Sequence, residues 1–203
     1  MTTRRARTDS AKAARRRDII EAAIGLLDAH GLNAVSMQDI ATTCALTKPA
    51  LYSYFAAREE IILAVYRTLL NDCMAAFNRS LLAAGHPLPR ASFDSLFVSS
   101  FAERPLLCHL TNHLTATVAP KLTAATAEHL RTETAEQLAG LRALLLHYGY
   151  ADAETADDLA RAYYTILTGA AQIAAMPGGQ PGTGVIDSTA FTANCLAALA
   201  CLR

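Results

Sequence analysis

The chain is 203 residues long, 52% hydrophobic and free of tryptophan, and its eighteen Lys and Arg balance eighteen Asp and Glu. That apolar fraction excludes a disordered chain, and the length allows one substantial core, or a small and a larger domain. No apolar stretch reaches the ~18 residues of a membrane span, and no hydrophobic region follows the basic start, so a soluble cytoplasmic protein without a signal peptide is expected.

Alanine and leucine dominate while β-branched runs are scarce, which points to an all-α fold. Five cysteines (Cys44, Cys73, Cys108, Cys195, Cys201) are odd in number and form no C-x-x-C pair. Reduced thiols fit that pattern better than a disulfide framework or a zinc cluster.

Charge is unevenly placed. Residues 1–20 hold seven of the basic residues (Arg4, Arg5, Arg7, Lys12, Arg15, Arg16, Arg17) against Asp9 and Asp18. A basic arm leading into a helix is the electrostatic footprint of a phosphate-backbone binder, although a solubilising tail has the same composition.

Ile20, Ala23, Ile24 and Leu27 follow at i, i+3, i+4 and i+7, one face of a first helix, and Gly31 is placed to end it in a left-handed conformation. Ser36 is expected to cap a second helix, with Asp39 reaching back three residues later and Met37, Ile40 and Ala41 on its buried face. Thr47 is expected to cap a third helix that carries Pro49 in its first turn, where a missing N–H costs nothing.

Two short helices separated by "TCAL" and preceded by a longer one make a helix-turn-helix in a three-helix unit. Leu51 and Phe55, at i and i+4, turn to the core. Lys48, Tyr52 and Tyr54 remain to face DNA: lysine neutralises a phosphate or reads guanine, and tyrosine hydroxyls bond phosphates.

The stretch "VSMQDIATTCALTKPALYSYFAAREEIILAVY" resembles the DNA-binding signature of the tetracycline-repressor (TetR) family of transcriptional regulators, over about residues 15–66. The resemblance implies that the second helix of the pair enters the major groove. By position it brings Lys48, Pro49, Ala50, Tyr52 and Tyr54 to DNA, with Met37 and Gln38 from the preceding helix and Arg58 from the next. The caps Ser36 and Thr47 complete the expected DNA-facing set.

Two positions depart from the family pattern. Ala45 stands where a turn glycine is usual, so a left-handed alanine there costs ~1 kcal/mol. Ala57 stands where Ser or Asn usually caps the fourth helix, a loss of ~1 kcal/mol that Glu59 and Glu60 partly offset through the helix dipole.

Beyond residue 57, helical periodicity runs through 58–83, 91–103, 105–118, 121–148, 153–175 and 188–202. The breakers between them are "AGHPLP", Pro105, Pro120, "HYGY" and "PGGQPGTG". The expected division is a DNA-binding domain with its arm at 1–57 and an effector-binding and dimerisation domain at 58–203. The glycines of 177–184 follow a helix, with no strand before them, so no phosphate cradle is read there.

The helix at 153–175 is apolar on two stripes, one with Leu159, Tyr163, Ile166 and Ile173 and the other with Ala160, Tyr164, Leu167 and Ala171. The last helix doubles likewise, Phe191, Cys195, Leu199 and Leu202 lying beside Leu196 and Ala200. A four-helix interface between two copies is expected, through Tyr164, Leu167, Ala171, Leu196 and Ala200; burial inside a monomer is the alternative.

His109, Asn112 and His113 form a polar strip at i, i+3 and i+4. Met74, Phe77, Phe97 and Phe101 are expected to close an apolar cavity beside it for a small-molecule effector. A purely structural role for these histidines, or metal binding through His109 and His113, is the competing reading. No G-x-S-x-G, H-E-x-x-H or P-loop arrangement occurs, so neither an enzyme nor a cofactor is expected, although a helical enzyme with a basic arm stays as the alternative. The expected whole is a regulator, read as a repressor, that holds a palindromic operator as a homodimer and is released by a ligand tilting the fourth helix.

Overall fold

The computed structural model describes the backbone of residues 2–114, 122–174 and 188–201, with the side chains of 2–9, 112, 125, 170–174 and 188–191 outside that description. The described residues are helical and contain no strand. In chain order the helices are α1 (Thr2–His30), α2 (Met37–Thr43), α3 (Lys48–Tyr52), α4 (Arg58–Ala84), α5 (Arg90–Ala102), α6 (Pro105–His113), α7 (Ala124–His147), α8 (Ala156–Ala174) and α9 (Ser188–Ala200). They form two compact units, Met1–Leu69 and Leu70–Arg203, with the division inside α4.

In the first unit α1 turns Ile19, Ala23 and Leu27 into the core at i, i+4 and i+8, while Ile20 and Ile24 are half-buried beside them. Gly31 then closes the helix with φ +80°, its N–H returning to Leu27 O at 2.9 Å, a geometry any side chain would strain. Leu32, Val35, Met37, Ile40, Ala41, Leu51 and Phe55 complete the layer against α1. The first turns of α4 add Ile61, Ile62, Leu63, Val65 and Tyr66, buried all round the helix.

The second unit is built around α8, which packs against α6, α7 and α9; α5 packs against α6 and α9. Its core joins Phe77 and Leu81 of α4 to Phe93 and Phe97 of α5, Cys108 of α6, Leu141 and Leu145 of α7, Tyr163 of α8 and Cys195 of α9. Phe77 stands edge-on to Phe93 and Phe97 at 5.5 and 5.4 Å. Helix bounds fall within a few residues of the periodicity. At α8 the start moves to Ala156 because Asp152 accepts from the N–H groups of Glu154 and Thr155 and holds a turn there.

Candidate nucleic-acid interface

Cap chemistry sets the reading head. Ser36 Oγ accepts from Asp39 N at 3.3 Å while Asp39 Oδ2 accepts from Ser36 N at 2.8 Å, the reciprocal box the spacing requires. Hydrogen bonds from the Ser36 hydroxyl and then its N–H hold the Asp39 carboxyl below the usual carboxylate range. Thr47 Oγ1 accepts from Ala50 N at 3.3 Å and starts α3, with Pro49 in the first turn. Between the two helices Ala45 adopts φ +51°, the left-handed conformation where glycine is favoured.

Leu51 and Phe55 are buried, which turns the opposite face of α3 outward. Lys48 and Pro49 are exposed, Ala50 is half-buried, and Tyr52 is 45% exposed, a large aromatic left in solvent. Tyr54 is half-buried just past the helix. Gln38 is exposed on α2 and its amide bonds Thr42 at 3.3 Å.

Three members of the expected DNA-facing set are used inside the unit. Met37 is only 6% exposed, so its side chain belongs to the core and only its backbone can meet a phosphate. Arg58 donates through Nε to Val35 O at 2.8 Å and through Nη2 to Leu32 O, so its guanidinium ties α4 to the segment before α2. Ser36 is exposed, yet its hydroxyl is committed to Asp39 at 2.6 Å.

The basic arm divides similarly. Lys12 and Arg17 are exposed. Arg15 instead donates to Cys44 O at 2.7 Å and lies 3.5 Å from Asp18, while Arg16 donates to Tyr54 O with its guanidinium 3.9 Å from the Phe55 ring centroid. The Arg4, Arg5 and Arg7 side chains lie outside the described residues. At the head of α4, Ala57 offers no capping oxygen, and Glu60 accepts from Ala56 N at 2.9 Å instead.

In the second unit, Phe77 and Phe97 are core residues, with Phe101 5.4 Å from Phe97 and Met74 packed at the margin. His109 is half-buried on α6; its Nδ1 is inaccessible and lacks a hydrogen-bond partner among the described residues, and burial lowers its pKa. His113 is half-buried, and the Asn112 side chain lies outside the described residues. No three His, Cys, Asp or Glu gather as metal ligands among the described residues.

On α8, Ala160, Tyr163 and Leu167 share the inward face, cutting across the two stripes drawn from sequence. Leu167 is therefore a residue of the unit's own core, with 8% of its surface left for a second copy. Tyr164 and Leu196 are half-buried, Ala200 is exposed, and the Ala171 side chain and the 177–184 loop lie outside the described residues.

One polar cluster escaped sequence reasoning. Tyr163 donates to Asp94 Oδ1 inside the core, with Arg90 Nε 3.9 Å from the same oxygen and its guanidinium 5.8 Å from the Tyr163 ring centroid. Burial, then the Asp94 carboxylate, pushes the Tyr163 hydroxyl pKa upward. The i, i+4 spacing of Arg90 and Asp94 was visible, but such pairs usually sit in solvent.

Comparison with known proteins agrees with this geometry. A family model described as bacterial regulatory proteins, tetR family, matches residues 19–65, the span from α1 into α4. The HTH-type transcriptional repressor KstR2 of Mycobacterium tuberculosis is 30% identical over 87 residues, covering 43% of this chain and 42% of the relative. The HTH-type transcriptional regulator BetI of Rhizobium meliloti is 30% identical over 78 residues, 38% of each chain. The matched region thus spans less than half the length of either relative. A TetR transcription regulator from Haloarcula marismortui shares the fold across both units, with a TM-score of 0.66 at 18% identity over 92% of this chain and 95% of that one.

Proposed function

We propose that this chain, whose residues 19–65 match the family model of tetR bacterial regulatory proteins, is a DNA-binding transcriptional regulator, acting in the cytoplasm as a repressor. The observation that carries the reading is the outward face of α3. Lys48, Pro49 and Tyr52 stand exposed on a helix whose other face is locked in the core and whose start is capped by Thr47. A cation and an aromatic hydroxyl at the end of a rigid turn suit phosphate and base-edge contacts in a major groove. Lys12 and Arg17 on α1 add exposed positive charge to the same unit.

The DNA-binding head is drawn at 1–57 with its arm, within the first unit, and 58–203 as the effector-binding and dimerisation domain, a boundary twelve residues before the division between Leu69 and Leu70 inside α4. In the second unit the small-molecule effector site is drawn at His109 and His113 of α6 with Met74 of α4 and Phe101 of α5, the last two at the margin of the core, and burial lowers the His109 pKa. Dimerisation uses the half-buried Tyr164 and Leu196 and the exposed Ala200 of α8 and α9, rather than the buried Leu167. Ligand binding then acts on DNA affinity through α4, the helix both units share.

Selection of duplexes from a randomised pool, followed by footprinting of the winners, tests the reading. The expected result is a palindrome whose half-sites lie about one helical turn apart, or a multiple of it, protected as two major-groove patches. A pool without enrichment, or protection that ignores sequence, contradicts it.

A further inference from the structure

The two helices of the reading head are short, and short helices leave most of their terminal carbonyls without partners. The carbonyl of Cys44, the C-cap of α2, and that of Tyr54, just beyond α3, each accept a guanidinium N–H from α1: Arg15 on Cys44 O at 2.7 Å, and Arg16 on Tyr54 O. A cation there is also favoured by the negative end of a helix dipole. Arg16 covers the Phe55 ring at 3.9 Å, and Phe55 is 1% exposed, so the same side chain closes the core behind α3. At the entry to α2, Arg58 holds the carbonyls of Leu32 and Val35, the segment that leads into Ser36. The α2–α3 pair is thus gripped at its entry, its turn and its exit, on either side of the left-handed Ala45.

We propose that Arg15, Arg16 and Arg58 are positioning residues for DNA reading, which fix the pose of α2 and α3 through backbone carbonyls instead of neutralising phosphates. This rests on the proposed function and reassigns three cations that charge alone would give to the DNA backbone. Guanidinium suits the task, because its planar fork can serve a carbonyl and a ring or a carboxylate together.

The test compares Arg15→Met and Arg16→Met, which keep an apolar stem and lose the donors, with the wild type. Affinity is measured across a salt series for a duplex selected by the wild type and for a scrambled duplex of equal length. Positioning predicts at least a tenfold loss on the selected duplex, under threefold on the scrambled one, and an unchanged slope of log affinity against log salt. A direct phosphate contact predicts equal loss on both duplexes and a slope smaller by ~0.9 per side chain, which overturns the proposal. Equal loss with the slope retained marks general unfolding and overturns it too, as does no loss. A variant that melts near the assay temperature is replaced by the corresponding lysine and judged on the same ratio.

If the wild type itself shows no salt-dependent DNA binding, the proposed function has failed, and amide exchange in the free protein judges the clamp. Exchange over residues 45–55 is expected to quicken at least tenfold in both methionine variants at unchanged melting temperature. Unaltered exchange overturns the clamp.

Discussion

Ala45 carries a conformation its side chain disfavours, with φ +51° in the turn of the reading head. Glycine relieves that strain but adds freedom to the unfolded chain, and the first effect is the larger at a left-handed site. Ala45→Gly is expected to stabilise the protein by about 0.5–1 kcal/mol in urea unfolding; a destabilised variant contradicts the reading of the turn. The sign for Asp39 follows from its depressed pKa, caused first by the Ser36 hydroxyl. Such a carboxyl stabilises the fold above its unfolded value of ~3.9, and the contribution is lost as pH falls through the lower folded value. The stability gap between the wild type and Asp39→Asn is therefore expected to hold from about pH 8 to 5 and to close below about pH 4. A gap that persists in acid contradicts the capping box.

At the scale of elements, what the sequence made legible was local. The caps at Ser36 and Thr47, the glycine stop at Gly31 and the i, i+4 pairing of Leu51 with Phe55 depend on neighbours within a few residues, and the structure forms each of them. The arginines were not legible, because the carbonyls that claim them lie 29 and 38 positions away for Arg15 and Arg16, and 23 and 26 away for Arg58. Nor was the inward turn of Leu167, since an apolar stripe does not say which neighbour covers it. The same blindness hid the junction of α5 with α8, where Tyr163 donates to a buried Asp94. Tyr163→Phe removes the hydroxyl from a carboxylate that is 1% exposed and is expected to cost about 1–3 kcal/mol in chemical unfolding; an unchanged midpoint contradicts the junction. The thiols report on the same core. Burial pushes Cys73 to about 11, and Cys108 and Cys195 to about 12, whereas Cys201 is exposed. Iodoacetamide at about pH 8 is expected to label Cys201 in the native protein and the other three only on unfolding, since the thiolate is the nucleophile.

For the whole molecule, the first unit presents cationic and aromatic side chains outward on α3, and the larger second unit is closed around an aromatic core. Deleting residues 1–8 removes Arg4, Arg5 and Arg7 and is expected to lower DNA affinity and reduce the salt slope by roughly one to three units, with the fold intact. The central claim is that α3 reads DNA through Lys48 and Tyr52. Fluorescence anisotropy of the wild type and of Lys48→Ala, on a selected and a scrambled duplex across a salt series, tests it most directly. The account predicts steeply salt-dependent binding by the wild type, and a variant that loses roughly tenfold or more of its preference for the selected duplex, the ~1–3 kcal/mol of a base contact. Wild-type binding indifferent to salt, or a variant whose preference is untouched, would contradict it.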